Sequence, residues 1–216
     1  PHLYDPGRQE PGGTGANEDW VLGNFGCDPL GGHSMVQTAE NVAAKHGLTT
    51  AQQHEVVLRR EAQYRAATAD GAAFLKRFMT LPFEVPSANF KKVVATMAGD
   101  EGINQSTPEG LAKLKPVVAG GTVTFGGQTH PADGHAGMIV TTPERARELA
   151  SNPKIAVRLH GFGQARAALA FMPEAPVPAA ARALQQAGRT VRQMDAIKTH
   201  NPFAGNDLVF AKELGC

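Results

Sequence analysis

Three stretches of this sequence carry residue types whose spacing could support chemistry. In Thr199-His200-Asn201-Pro202-Phe203-Ala204 an imidazole follows the apolar run around Ala196-Ile197 and precedes a proline that fixes the local backbone. The run Met194–Lys198 reads as a strand, and side chains at the C-terminal end of a strand in an α/β sheet often face a ligand crevice. A histidine bonded into the structure suits the same pattern. The second stretch, His33-Ser34-Met35-Val36-Gln37-Thr38-Ala39-Glu40-Asn41-Val42-Ala43, is a glycine-preceded turn entering a helix. A helix N-terminus offers free N–H groups to an anionic or polar ligand, and an ordinary capped helix looks the same. The third, Ala132-Asp133-Gly134-His135-Ala136-Gly137, has small residues that either let another group approach the backbone or make a tight turn between strands. His130 and His135 raise a metal hypothesis. Neither has an acidic or histidine partner at helical spacing, so no metal site is expected.

These stretches need elements to hold them. Residues 1–32 are rich in glycine and proline and read as loop, interrupted by an apolar patch at Trp20, Val21, Leu22 and Phe25. Thr38–His46 reads as a helix stopped by Gly47. A second helix is expected from Thr50, with Gln53 in capping-box position, to about Ala69. Residues 81–98 read as extended. Thr107-Pro108-Glu109 and Thr142-Pro143-Glu144 are compact helix starts: a cap, a proline at the first helical position and an acid in the first turn. Strands are expected at 121–126 and 136–141, paired through a turn at Asp133-Gly134, and again at Ile155–Leu159. A helix from Pro178 to Ala187 closes at Gly188. Helix and loop dominate the first half and strand–helix alternation the second, which favours a layered α/β arrangement with a boundary near residue 115.

Composition narrows the class. The 216 residues are 42% hydrophobic and 19% charged, with a formal net charge of +1. That balance argues against nucleic-acid binding, which usually shows a basic excess. No apolar run approaches the 18 residues of a membrane span, and no signal-peptide pattern opens the chain. Cys27 and Cys216 are far apart and form no metal-type pair, so a cytoplasmic location is the expectation. Both ends read as cuts through a longer protein.

The order Thr38-Ala39-Glu40-Asn41-Val42-Ala43, Leu111-Ala112-Lys113-Leu114-Lys115-Pro116, Thr122-Val123-Thr124, Asp133-Gly134-His135-Ala136-Gly137 resembles the thiolase superfamily. There the stretches commonly read TAENVA, LAKLRP, TVTAGN and NDGAAA. The resemblance runs from about residue 33 onward. It implies an incomplete thiolase-like layered α/β/α fold with a mainly helical loop domain. Residues 1–114 would be that loop domain, which covers coenzyme A; 115–150 would close the N-terminal half; 151–216 would begin the C-terminal half. His200 stands where many members have the asparagine of NEAFA, and relatives reading HDCF or HEAF also use histidine. It would donate to the oxyanion, directly or through a held water. Ser34, Met35 and Thr129 match positions that touch the pantetheine arm.

By the same resemblance, the nucleophilic cysteine belongs upstream of Pro1, and the glycine-histidine-proline motif and second catalytic cysteine downstream of Cys216. Neither Cys27 nor Cys216 matches the nucleophile's surroundings. The implied activity is acyl transfer that forms or cleaves a carbon–carbon bond beside a coenzyme A thioester, through an acyl-cysteine intermediate. The thioester is substrate, and no tightly bound cofactor is implied. Expected partners are acyl-CoA, the remaining thiolase segments or a companion chain, and a second copy in a homo-oligomer. Two other readings fit the motifs: a non-catalytic acyl-CoA-binding relative, and a structural subunit that completes a catalytic partner.

Overall fold

The computed structural model describes residues 2–5, 16–129, 136–152 and 154–216. Its elements, in chain order, are β1 (His2–Asp5), β2 (Ala16–Asp19), α1 (Trp20–Gly26), α2 (Met35–His46), α3 (Thr50–Ala72), β3 (Phe83–Pro86), β4 (Val93–Met97), α4 (Pro108–Ala112), α5 (Pro143–Leu149), α6 (Pro176–Ala187) and α7 (Ala204–Leu214), with short 3-10 turns between them. β1 pairs antiparallel with β2 in the register His2↔Asp19 to Asp5↔Ala16, and β3 with β4, with an irregularity at Val85/Pro86.

Local chemistry accounts for the helix ends. α2 begins at Ser34, whose Oγ accepts the Gln37 N–H at 3.1 Å, and ends at Gly47 with φ 65°, ψ 36°, the left-handed conformation that glycine adopts without a Cβ penalty. Thr107 and Thr142 cap α4 and α5 as expected, each with proline in the first turn. The cap of α3 lies one residue earlier than the sequence suggested. Thr49, extended at φ −94°, ψ 159°, forms the capping box with Gln52. The run Thr49-Thr50-Ala51-Gln52-Gln53 satisfies the pattern in two registers. The one adopted frees Gln53 to point inward, where it is 1% exposed. α3 departs from helical geometry at Ala69, close to its expected end. α6 starts at Pro176, two residues before the expected Pro178, and closes at Gly188.

The core is built by α2, α3, α4, α7 and the 122–124 segment. Val42, Ala43 and Leu48 pack with Val209; Val56 and Val57 with Leu111 and Ala204; Ala39 with Val123 and Phe203. Residues 1–32, read as loop, contain β1, β2 and α1.

The expected strands of the second half are not formed among the described residues. Residues 121–126 contribute one bridge, Thr124 to Pro116, and then a 3-10 turn at Phe125–Gly127. Residues 136–141, Ile155–Leu159 and Met194–Lys198 make no ladder. The turn placed at Asp133-Gly134 lies outside the described residues. The apolar, β-branched pattern that suggested strands is present, but a strand also needs a neighbouring backbone for its N–H and C=O groups. For 136–141 and Ile155–Leu159 none lies alongside, and their side chains stay in solvent: Val157 is 84% exposed, and Met138, Ile139, Ile155 and Leu159 are exposed too, whereas Val123 of the bridged 121–126 segment is buried.

Candidate active site

Glu40 organises the centre of the site from the buried face of α2. Its carboxylate accepts the backbone N–H of Thr122 at 2.9 Å and of Val123 at 2.8 Å, and the Thr122 hydroxyl at 3.2 Å. A Cβ on Gly121 would collide with this carboxylate, so glycine is required for the close approach. From α3, Thr50 Oγ1 donates to the Thr122 carbonyl at 2.9 Å, and Gln53 Nε2 donates to Thr122 Oγ1 at 3.0 Å. His54 Nε2 lies 2.9 Å from Thr124 Oγ1, and burial pulls the His54 pKa below its ordinary value. Two helices thus grip one irregular segment, 122–124, through side chains that satisfy its backbone.

That segment leads through the Phe125–Gly127 turn to Gln128, which bridges antiparallel to Phe203. The Thr129 N–H donates to the Pro202 carbonyl at 2.7 Å. Two expected site positions, Thr129 and the His200 segment, are therefore joined through the backbone. Met35 packs against the cluster of Ala39, Val123 and Phe203, so the start of α2 meets the same segment through Phe203. Ser34 is half-buried, and its hydroxyl oxygen is already engaged as the helix cap. No described hydrogen bond links Ser34 to the His200 segment.

His200 is exposed and hydrogen-bonds to none of the described residues. Its neighbours are held tightly. Thr199 Oγ1 donates to Asp207 Oδ1 at 3.1 Å, and Asn201 Nδ2 donates to Asp207 Oδ2 at 3.2 Å. Arg60 Nη2 meets the same Oδ2 at 2.7 Å from α3. His200 also lines a groove of roughly 480 Å³ with Thr199, Ile197, Ala180, Leu184 and Phe210, between its own segment, α6 and α7.

Glu40, Gln53, His54, Arg60 and Asp207 were not singled out from the sequence as site residues. For Glu40 a signal existed. It lies four residues after Val36 and three before Ala43, so it shares a helix face with apolar residues and needs a buried partner. His130 and His135 lie outside the described residues. Among those described, no group of three or more histidine, cysteine, aspartate or glutamate residues could hold a metal ion. Cys27 and Cys216 are exposed thiols.

The family description "Thiolase, N-terminal domain" matches residues 25–144, more than half of the chain. The chain belongs to the thiolase family. A 3-ketoacyl-CoA thiolase of Vibrio vulnificus strain YJ016 is 37% identical over 186 residues, covering 84% of this chain and 46% of the relative. One from Shewanella loihica is 34% identical over 184 residues, with the same coverages. The fold agrees. A crystal structure of the Bacillus anthracis acetyl-CoA acetyltransferase superimposes on the whole chain with a TM-score of 0.81 at 26% identity, covering 53% of that structure. Human mitochondrial 3-ketoacyl-CoA thiolase gives a TM-score of 0.77 at the same identity and coverage. This thiolase-family chain thus spans about half the length of the curated relatives it matches, and its fold is an incomplete thiolase-like α/β fold. No helix among the described residues is long and apolar enough to cross a membrane.

Proposed function

We propose that this chain is part of a thiolase-type acyltransferase and supplies the coenzyme A cover and an oxyanion donor. The observation that carries this reading is the convergence of the expected motifs on one segment. The Thr129 N–H bonds to the Pro202 carbonyl, while Phe203 packs beside Met35 and Val123. Apolar Met35 and polar Ser34 and Thr129 suit the pantetheine arm, which needs an apolar wall with a few polar groups. In cleavage, a cysteine thiolate other than Cys27 and Cys216 attacks the 3-keto carbonyl. The Cα–Cβ bond breaks and its electrons pass into the enolate of a short acyl-CoA. A general acid protonates that enolate carbon, and free CoA then takes the acyl group from the cysteine. Synthesis runs the same steps backward. His200 donates a hydrogen bond to the thioester carbonyl oxygen, where negative charge appears only as the enolate forms.

Acyl-CoA is substrate, with no tightly bound cofactor, in the cytoplasm. Residues 1–114 act as the loop domain, 115–150 complete the N-terminal half and 151–216 open the C-terminal half. The exposed apolar runs at Ile139, Ile155 and Val157 and the groove beside α6 are covered by further thiolase segments or by a second subunit. Substitution of His200 in the full-length protein tests the assignment. His200→Ala should lower kcat roughly 10²–10³-fold with little loss of stability. His200→Asn should keep much of the activity, because asparagine can also donate. If both variants stay folded and both are equally inactive, the donor role is wrong. A His200→Ala variant that loses stability but keeps its rate per folded molecule would make the histidine structural.

A further inference from the structure

The residue before His200 and the residue after it are held by one carboxylate. Asp207 lies in the first turn of α7 and reaches back over the helix start. Its Oδ1 accepts from Thr199 Oγ1 and its Oδ2 from Asn201 Nδ2, so both flanks of His200 are tied and His200 itself is left unbonded. Phe203 at the N-cap makes no side-chain cap bond, so the acid of this turn serves the preceding loop instead. Arg60 fixes the carboxylate from α3 at 2.7 Å, and Arg60 and Asp207 side chains are 31% and 32% exposed. The Thr129 N–H on the Pro202 carbonyl closes the loop from a third side. The carboxylate is tied both ways: it is locked by a charge-assisted bond and spends both oxygens on the loop. A solvent-exposed histidine on an untied loop would sample many positions, and a catalytic hydrogen bond misplaced by about 1 Å can lose on the order of 10²-fold in rate.

We propose that Asp207, set by Arg60, is a positioning residue that holds the Thr199–Pro202 backbone so that His200 is presented in one orientation. This rests on the donor reading of His200 given above. The rival role is a tie of α7 to α3 through the Arg60–Asp207 ion pair alone, with the loop bonds incidental.

Thr199→Val combined with Asn201→Ala separates the two, since it removes the loop's donors and leaves the ion pair whole. The full-length protein and this variant, with Asp207→Asn and Arg60→Gln, are compared by amide hydrogen exchange of the peptide spanning 196–203, by melting temperature, and by kcat and KM with acetoacetyl-CoA and free CoA. The expected result for Thr199→Val/Asn201→Ala is faster exchange confined to 196–203, an unchanged melting temperature, and kcat lower by about 10- to 100-fold with KM for CoA within about threefold. Asp207→Asn should move kcat the same way, because the amide nitrogen that replaces one oxygen cannot accept. Thr199→Val/Asn201→Ala with wild-type exchange and kcat, beside an Arg60→Gln variant that melts early, would overturn the positioning role and leave the tie. A wild-type protein without thiolysis would overturn the His200 reading and this proposal with it, and its exchange data would still show whether Asp207 holds the loop.

Discussion

Removing the Glu40 carboxylate should detach the 122–124 segment from α2. Glu40→Ala leaves the Thr122 and Val123 N–H groups without their acceptor, and Val123 is 1% exposed, so water cannot take over at that position. A buried donor left unpaired costs about 1–3 kcal/mol, fully for Val123 and partly for half-buried Thr122. The Thr50 and Gln53 bonds to Thr122 survive, so the segment is loosened rather than freed. The sum is about 3–4 kcal/mol, or about 10 °C in melting temperature at the roughly 2–4 °C per kcal/mol typical of domains this size. Glu40→Gln should be far milder, at about 1 kcal/mol. Its carbonyl oxygen can keep both backbone N–H groups, while its amide nitrogen donates to the Thr122 hydroxyl, which can accept. Thermal and urea unfolding of the full-length variants measures both. An alanine variant within about 1 kcal/mol of wild type, or a glutamine variant as unstable as alanine, would refute the account.

Three further outcomes can be checked. Gly163→Ala should cost about 1–3 kcal/mol by unfolding, because the added Cβ meets the Ala179 carbonyl oxygen of α6, a backbone atom that cannot swing away; a neutral effect would mean that the 161–163 segment does not lie along α6. Burial pushes the Glu174 carboxyl up, but hydrogen bonds from Lys45 and His46 outweigh it and hold its pKa below the ordinary value. The stability this lends is fully present above the unfolded glutamate value of about 4.3 and is lost as pH falls through the lower folded value, so Glu174→Gln should flatten the acid limb of a stability–pH curve, and an unchanged limb would contradict the pairing. The 216-residue chain assayed alone with acetoacetyl-CoA and free CoA should give no turnover above background, and turnover surviving in both Cys27→Ala and Cys216→Ala variants would refute that.

Helix ends and the family motifs were legible in the sequence because they are local. Thr107-Pro108-Glu109 and Thr142-Pro143-Glu144 each place a cap, a fixed φ and a favourable charge within three residues, and Gly47 and Gly188 end their helices by adopting a left-handed φ unaided. The motif around Glu40 marked the family in the same way, through residue identity alone.

Tertiary structure decided what depends on a distant partner. Strand-forming patterns at 121–126, 136–141 and Ile155–Leu159 could not say whether a neighbouring backbone would be there; among the described residues 121–126 meets only the short stretch at Pro116-Val117, and the other two pair with nothing. The register of the α3 cap was ambiguous in Thr49-Thr50-Ala51-Gln52-Gln53, and burial of Gln53 against Thr122 goes with the one adopted. Glu40 finds its acceptor role 82 residues away, and Arg60 meets Asp207 across 147. A carboxylate's sequence neighbours specify its helix face, but only the packing of α2, α3 and α7 brings a distant N–H or guanidinium within the roughly 3 Å over which a hydrogen bond acts.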